Sequence, residues 1–357
     1  MAYSPFVPLR VFSSYTMLDG AIDPKAMAKL AKGRGFPAMA VTDRNGLYCA
    51  PAFAGACKDT GVQPIVGTLL SVARPADMGG ATGGIGAMAA PIIDSLALLA
   101  QNETGWLNLC HLVSQAHLER PLEFDPHVQL AALEGHSDGL ICLTGAGQGA
   151  LTRLLAEQQQ SAAELYADRL QALFGDRLYV ELARTGDPAE EAGEAALIDL
   201  AYARGLPLVA TNPAHFAEAK GTQAHDAMLC IAGSTHVDAP ERARSNPQCW
   251  VKPAETMAQL FADCPEALAN TLVVAQRCAY MPPRRKPLLP SLAGDKEGEE
   301  RMLVDLARTG LAQRLAPYWP GVDEATLDKA LATQGDERLA AYEALRPLGV
   351  GEDFLEY

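Results

Sequence analysis

The chain has 357 residues, 49% hydrophobic and 20% charged, with 29 basic against 43 acidic side chains for a net charge of -14. That length and apolar fraction support one large domain plus a smaller one and exclude a disordered chain. The acidic balance argues against a self-sufficient nucleic-acid binder, which needs a basic face to displace counterions.

The opening MAYSPFVPLRVF lacks the charged start and long apolar run of a signal peptide, and no later apolar run is long enough to span a bilayer, so a cytoplasmic protein without membrane contact is expected. Short apolar runs bounded by turn residues predict strands over 7–12, 38–42, 64–72, 96–100, 139–143, 178–182 and 208–211. Between them lie helical patterns. The first is marked by Asp23 as N-cap, Pro24 at the first helical position and Gly33 and Gly35 as stops. Others are predicted over 51–58, 105–117, 150–156, 161–174, 188–204 and 221–232. Strand–helix alternation of this kind implies a parallel sheet with helical crossovers, closed or open, with functional groups at the C-terminal ends of the strands.

Residues 75–91 form a Gly/Ala-rich insertion that matches neither a P-loop nor a dinucleotide fingerprint and reads as a flexible surface loop. The prolines of 281–295 rule out a regular helix there, and beyond them helices are predicted over 297–315, 324–333 and 336–345. The domains expected are therefore 1–280, a Pro-rich linker over 281–295, and a helical unit over 296–357. Eight cysteines at irregular spacing, none in C-x-x-C, read as reduced and buried thiols.

Four side chains at or after predicted strand ends could converge: Asp43, Glu181, His215 and His225. Two or three hard divalent ions need roughly six to nine such ligands, so four suggest polar groups satisfied in a barrel mouth. Asp19 and Gly20 read as a tight structural turn.

The run LRVFSSYTMLDGA (9–21) resembles the opening H-L-H-x-H-S-x-Y-S-x-L-D-G of the bacterial DNA polymerase III alpha subunits. FPAMAVTDRNGLYCA, GVQPIVG, LLAQNETGWLNL, LICLTG, ELARTG, ARGLPLVATN, AHDAMLCI and WVKPAETMAQLFADCPEALANTLVVAQRC continue the resemblance in order. It implies a PHP domain, a seven-stranded distorted β/α barrel, followed by a small all-helical segment that starts the polymerase region.

In active PHP domains strand-end residues hold a metal cluster. On the matching positions of this chain the ligands are lost at Arg10, Phe12, Arg44, Leu69, Ala146 and Pro213, leaving Asp43, Glu181, His215 and His225 as remnants. The resemblance thus implies no metal, no PHP phosphoesterase activity and no catalytic residue in this chain. The domain would be a scaffold that docks the proofreading exonuclease. It further implies a sliding clamp and other holoenzyme subunits as partners. DNA contact and the Mg2+-binding polymerase aspartates would lie beyond position 357. Two other expectations stay open: a free-standing PHP metal-dependent phosphoesterase, which the lost ligands count against, and a non-catalytic interaction protein. The error-prone paralogue shares the same opening, while the RTG segment and the Ala-rich C-terminal match, GDERLAAYEALRPLG (335–349), favour the replicative form.

Overall fold

The structure is a computed structural model, and it describes residues 5–78, 90–283, 290–315 and 325. The chain divides into two compact units, 1–284 and 285–357. The first unit runs α1 (Pro24–Gly33), β1 (Ala38–Arg44), α2 (Ala50–Thr60), β2 (Gln63–Ala73), β3 (Ile93–Ala100), α3 (Glu103–Leu118) and β4 (Val128–Gln129). It continues with β5 (Leu140–Leu143), α4 (Ala150–Ala156), α5 (Gln160–Phe174), β6 (Leu178–Ala183), α6 (Pro188–Arg204), β7 (Leu208–Thr211), α7 (Thr222–Ala232), α8 (Ala254–Leu260) and α9 (Pro265–Arg277). In the second unit α10 (Lys296–Leu315) is described. The helices expected over 324–333 and 336–345 and most of the Gly/Ala-rich insertion lie outside the described residues.

Helix starts follow the chemistry expected of them. The Asp23 carboxylate accepts from the Lys25 and Ala26 amides ahead of α1, with Pro24 at its first turn. Asp187 and Pro188 repeat the device at α6, which ends on Gly205 at φ 64°.

The sheet order is β1-β2-β3-β5-β6-β7, with the short β4 beside β2. β1 and β2, β5 and β6, and β6 and β7 pair in parallel. β3 runs antiparallel to both β2 and β5, so the sheet is mixed where a parallel one was expected. The reason lies in the connection. A parallel return needs a crossover, usually a helix, and no helix pattern lies between β2 and β3.

The strand expected over 7–12 is also absent as a regular element. Val11 and Ser13 make only isolated bridges, to Ala214 and Ile22. Pro8 has no amide proton to donate. Its carbonyl accepts from Ala40, and the next carbonyl to accept from β1 is that of Val11, bonded to Thr42. Three residues on this segment thus span two on β1, a bulge that breaks the ladder. On its other side the Arg10 carbonyl accepts from Ala214, while the Phe12 amide donates to the Ala214 carbonyl, just beyond β7. The irregular segment therefore bridges the two edges of the curled sheet and delivers Arg10 and Phe12 to the ends of the strands.

Side chains alternate between two cores with the strand period of two. Met39, Val41, Leu70, Leu98, Cys142 and Val180 pack outward under the helices. Ala38, Ala40, Leu69, Leu99, Ile141, Tyr179 and Val209 fill the inside of the curl. Helix α9 closes that inner core with Val274, Ala275 and Cys278. It is fastened to the starts of the strands: Asn270 donates to the Leu208 carbonyl at 2.7 Å and Gln63 to the Ala275 carbonyl at 2.7 Å. The Val7 amide donates to Thr271 Oγ1 at 3.1 Å. The sequence reading placed no helix between 232 and 280. With that end stoppered, the C-terminal ends of the strands are the open end of the curl.

Candidate site at the C-terminal ends of the strands

Arg10 is fully buried and projects to the C-terminal end of β6, where its Nη1 donates to both oxygens of buried Glu181 at 2.8 and 3.0 Å. Glu181 is saturated by further donors. Thr211 Oγ1 donates at 2.5 Å and the Gly145 amide at 2.9 Å. Arg10 Nη2 reaches Gln148 Oε1 at 3.4 Å, and Arg10 Nε has no partner among the described residues. A lone buried carboxylate or guanidinium would be strongly disfavoured; paired and hydrogen-bonded, each compensates the other.

Asp43, at the end of β1, is equally committed. Its Oδ1 accepts from the Ser13 amide at 2.7 Å and Thr16 Oγ1 at 2.8 Å, and its Oδ2 from Ser13 Oγ at 2.7 Å. Burial raises its pKa, against these bonds to Ser13 and Thr16, which favour the ion. The carboxylate thus ties the loop after the first segment to β1.

Phe12 lies flat on the His215 ring, 4.4 Å between centroids, and both Arg10 and Arg44 face the Phe12 ring at about 6 Å. Leu69 belongs to the inner apolar core. Ala146 is buried at φ 47°, and Pro213 sits between β7 and the bridge at Ala214.

Asp19 corrects the expectation of a merely structural turn. The turn forms, with the Asp19 amide donating to the Thr16 carbonyl, and the carboxylate also reaches into the site. Its Oδ1 lies 2.9 Å from His215 Nδ1 and its Oδ2 is 3.5 Å from Arg44. Burial alone would raise the Asp19 pKa, but the bond and charge of His215, with Arg44, hold it below the ordinary value. His225, from α7, sets Nε2 against the Asp19 carbonyl at 2.8 Å and Nδ1 against Ser245 Oγ at 2.7 Å. Burial lowers its pKa, so it favours the neutral form. One donor atom each from Asp19, His215 and His225 falls within 4.8 Å of the others.

The four candidates therefore do not converge as one set. His215 and His225 meet around Asp19, Glu181 pairs with Arg10, and Asp43 pairs with Ser13 and Thr16. The D-G dipeptide signalled a turn, which hid Asp19. Ser13 and Thr16 offered no motif beyond ordinary loop hydroxyls.

Cys49 and Cys249 lie beside these groups, and burial keeps both as thiols. None of the eight is in a disulfide, and burial pushes Cys49, Cys57, Cys249 and Cys278 up to about 12. Beside these groups lies an open cleft of about 710 Å³, lined in part by Tyr15, Met17, Arg44, Asn45, Gln148 and Arg153. Among the described residues, no helix is long and apolar enough to cross a membrane.

The PHP domain family matches residues 8–185. The DNA polymerase III subunit alpha of Caulobacter vibrioides is 42% identical over 328 residues, 89% of this chain and 28% of the relative. That of Escherichia coli K12 is 35% identical over 325 residues, 91% of this chain and 27% of the relative. The chain thus spans little more than a quarter of the length of these relatives. Among solved structures, an amidohydrolase from Chromobacterium violaceum is similar at 16% identity and a TM-score of 0.39, covering 58% of this chain and 87% of that one. A metal-dependent phosphoesterase structure from Bifidobacterium adolescentis is similar at 12% identity and a TM-score of 0.40, covering 71% and 95%. Likenesses at that level add nothing to the assignment. Residues 8–185 form a PHP domain, in a chain that belongs with the bacterial DNA polymerase III alpha subunits across about nine-tenths of its length.

Proposed function

We propose that this chain is the N-terminal portion of a replicative DNA polymerase III alpha subunit, and that its PHP domain is a metal-free scaffold. The whole protein would extend primers with Mg2+ held by aspartates outside these residues, in the cytoplasm. The PHP domain would dock the proofreading exonuclease, and the clamp and other holoenzyme subunits would bind the complete subunit.

The observation that carries the scaffold reading is the buried Arg10–Glu181 pair, 2.8 Å apart. A cluster of hard cations needs several free oxygen or imidazole ligands. Here the Glu181 oxygens are taken by Arg10, Thr211 and Gly145, and the Asp43 oxygens by Ser13 and Thr16. Both His225 nitrogens are engaged, and Arg44 brings positive charge to Asp19. Phe12, Leu69 and Ala146 offer no ligand atom, and two guanidinium ions would repel incoming metal. The residues present do not fit the PHP metal cluster, so no hydrolytic step is assigned to the domain.

An antibody to this region tests the polymerase reading in the source cells. A product several-fold heavier than 37.9 kDa is expected. A product only at 37.9 kDa would favour a short interaction protein instead.

A further inference from the structure

Helix α1 lies on the outside of the curled sheet, and its two sides differ in chemistry. Met27, Ala28 and Ala31 are buried in the outer core. The opposite side carries Lys25, Lys29 and Lys32, all exposed, three of the chain's nine lysines. At positions i, i+4 and i+7 they form one stripe about 10 Å long. The helix has no acidic residue to set against them. Asp23, the carboxylate just before it, is engaged in capping the Lys25 and Ala26 amides.

Helix stability does not account for this row. Like charges three and four residues apart repel, and a cation in the first turn opposes the helix dipole, so Lys25 stands at the wrong end. Only Lys32, in the last turn, suits the dipole. Elsewhere exposed lysines have a local acid: Lys220 lies 2.8 Å from Glu218 and Lys296 3.6 Å from Glu300. Among the described residues, none of Lys25, Lys29 and Lys32 forms an ion pair. Lys58, in the last turn of the adjoining α2, is balanced by its neighbour Asp59. Arg34, just past α1, turns to the Ala217 carbonyl at 3.2 Å and the face of Trp250, with Glu218 as the carboxylate acting on it. From 23 to 34, four basic side chains meet one acid, a local charge of +3 in a chain of -14.

We propose that the outer face of α1 is a contact for the phosphate backbone of duplex DNA. Phosphates of one strand recur about every 3.4 Å along the duplex axis, so a lysine row about 10 Å long covers about three of them. The residues beside the lysines favour this ligand over others. Ala26 and Gly33 are the other exposed residues of the helix. They offer no aromatic face on which an unpaired base could stack and no large apolar anchor of the kind a protein partner buries. Ammonium groups meet phosphate as point charges without reading base edges, so the contact is independent of sequence. The acidic balance of the whole chain makes it an auxiliary contact, weak alone, that steadies duplex held elsewhere. It places DNA on residues that the polymerase reading left free of it, and it rests on that reading only for the source of the duplex.

The test uses the full 357-residue chain and a short fluorescein-labelled DNA duplex of mixed sequence, read by anisotropy over a series of NaCl concentrations. Saturable binding at low salt is expected, with the logarithm of the binding constant falling against that of salt at a slope of about -3. Lys25→Gln, Lys29→Gln and Lys32→Gln should each reduce the slope by about one, and the triple variant should weaken binding about tenfold or more at unchanged Tm. Lys220→Gln and Lys296→Gln, at lysines that already have an acid, should change nothing, and a duplex of another sequence should bind equally. Absence of duplex binding at low salt, or binding that the triple variant keeps, overturns the contact. So does an equal or tighter hold on the single strand or on polyglutamate. The mass of the product in the source cells is a separate readout. A product only at 37.9 kDa, with duplex binding lost in the triple variant, removes the polymerase reading and leaves the contact. A heavier product with no duplex binding does the reverse.

Discussion

Removing one member of a buried ion pair leaves the other charged, buried and unpaired, so Arg10 and Glu181 stand or fall together. Arg10→Met should cost about 3–5 kcal/mol in urea unfolding, and the double change Arg10→Met with Glu181→Gln should recover most of it. A double variant as unstable as the single one would show that the pair is not what holds the strand ends. His225 gives a pH signature. Burial lowers its folded pKa below the ordinary 6.5, so its contribution is complete above that pH. It is lost as pH falls through the lower folded value, because the unfolded chain takes up the proton first. The Tm should therefore decline as pH falls below about 6.5, and His225→Gln should flatten that decline. At this scale residue type alone carried the expectation that Arg10, Phe12, Leu69 and Ala146 supply no ligand. Which partner each remnant found was not readable. Asp43 is satisfied by two hydroxyls and an amide that only the loop geometry brings to it.

Helices were legible from local signals, as Asp23-Pro24 and Asp187-Pro188 show, because caps act within a few residues. Strand direction was not, because it depends on how the chain returns. β3 reads as any buried strand does, and only its pairing with β2 and β5 reveals the reversal. The irregular segment 8–13 escaped for a similar reason: its apolar run suits a strand, and its extra residue is visible only against β1. Tight approach within the sheet yields a prediction of its own. A Cβ on Gly67, in β2, would collide with the Leu98 carbonyl oxygen of β3. Gly67→Ala should destabilise the chain by about 1–3 kcal/mol in urea, while the same change at exposed Gly33 of α1, where a Cβ meets nothing, should not. Equal effects would mean the sheet can spread to accept the methyl group.

Taken as a whole, the first unit is a curled sheet plugged at one end by α9 and held at the other by buried side-chain pairs such as Arg10–Glu181. An internal guanidinium is a fixed charge that cannot be chelated or diluted away, so the fold should be indifferent to metal supply. The measurement that tests this most directly is the metal content of the purified chain after incubation with Zn2+ and Mn2+ and removal of excess ion, with Tm recorded before and after EDTA. The account predicts well under one ion per chain and no change in Tm. One or more ions per chain, with a Tm that falls on chelation, would contradict it and return the domain to the metal-binding members of its family.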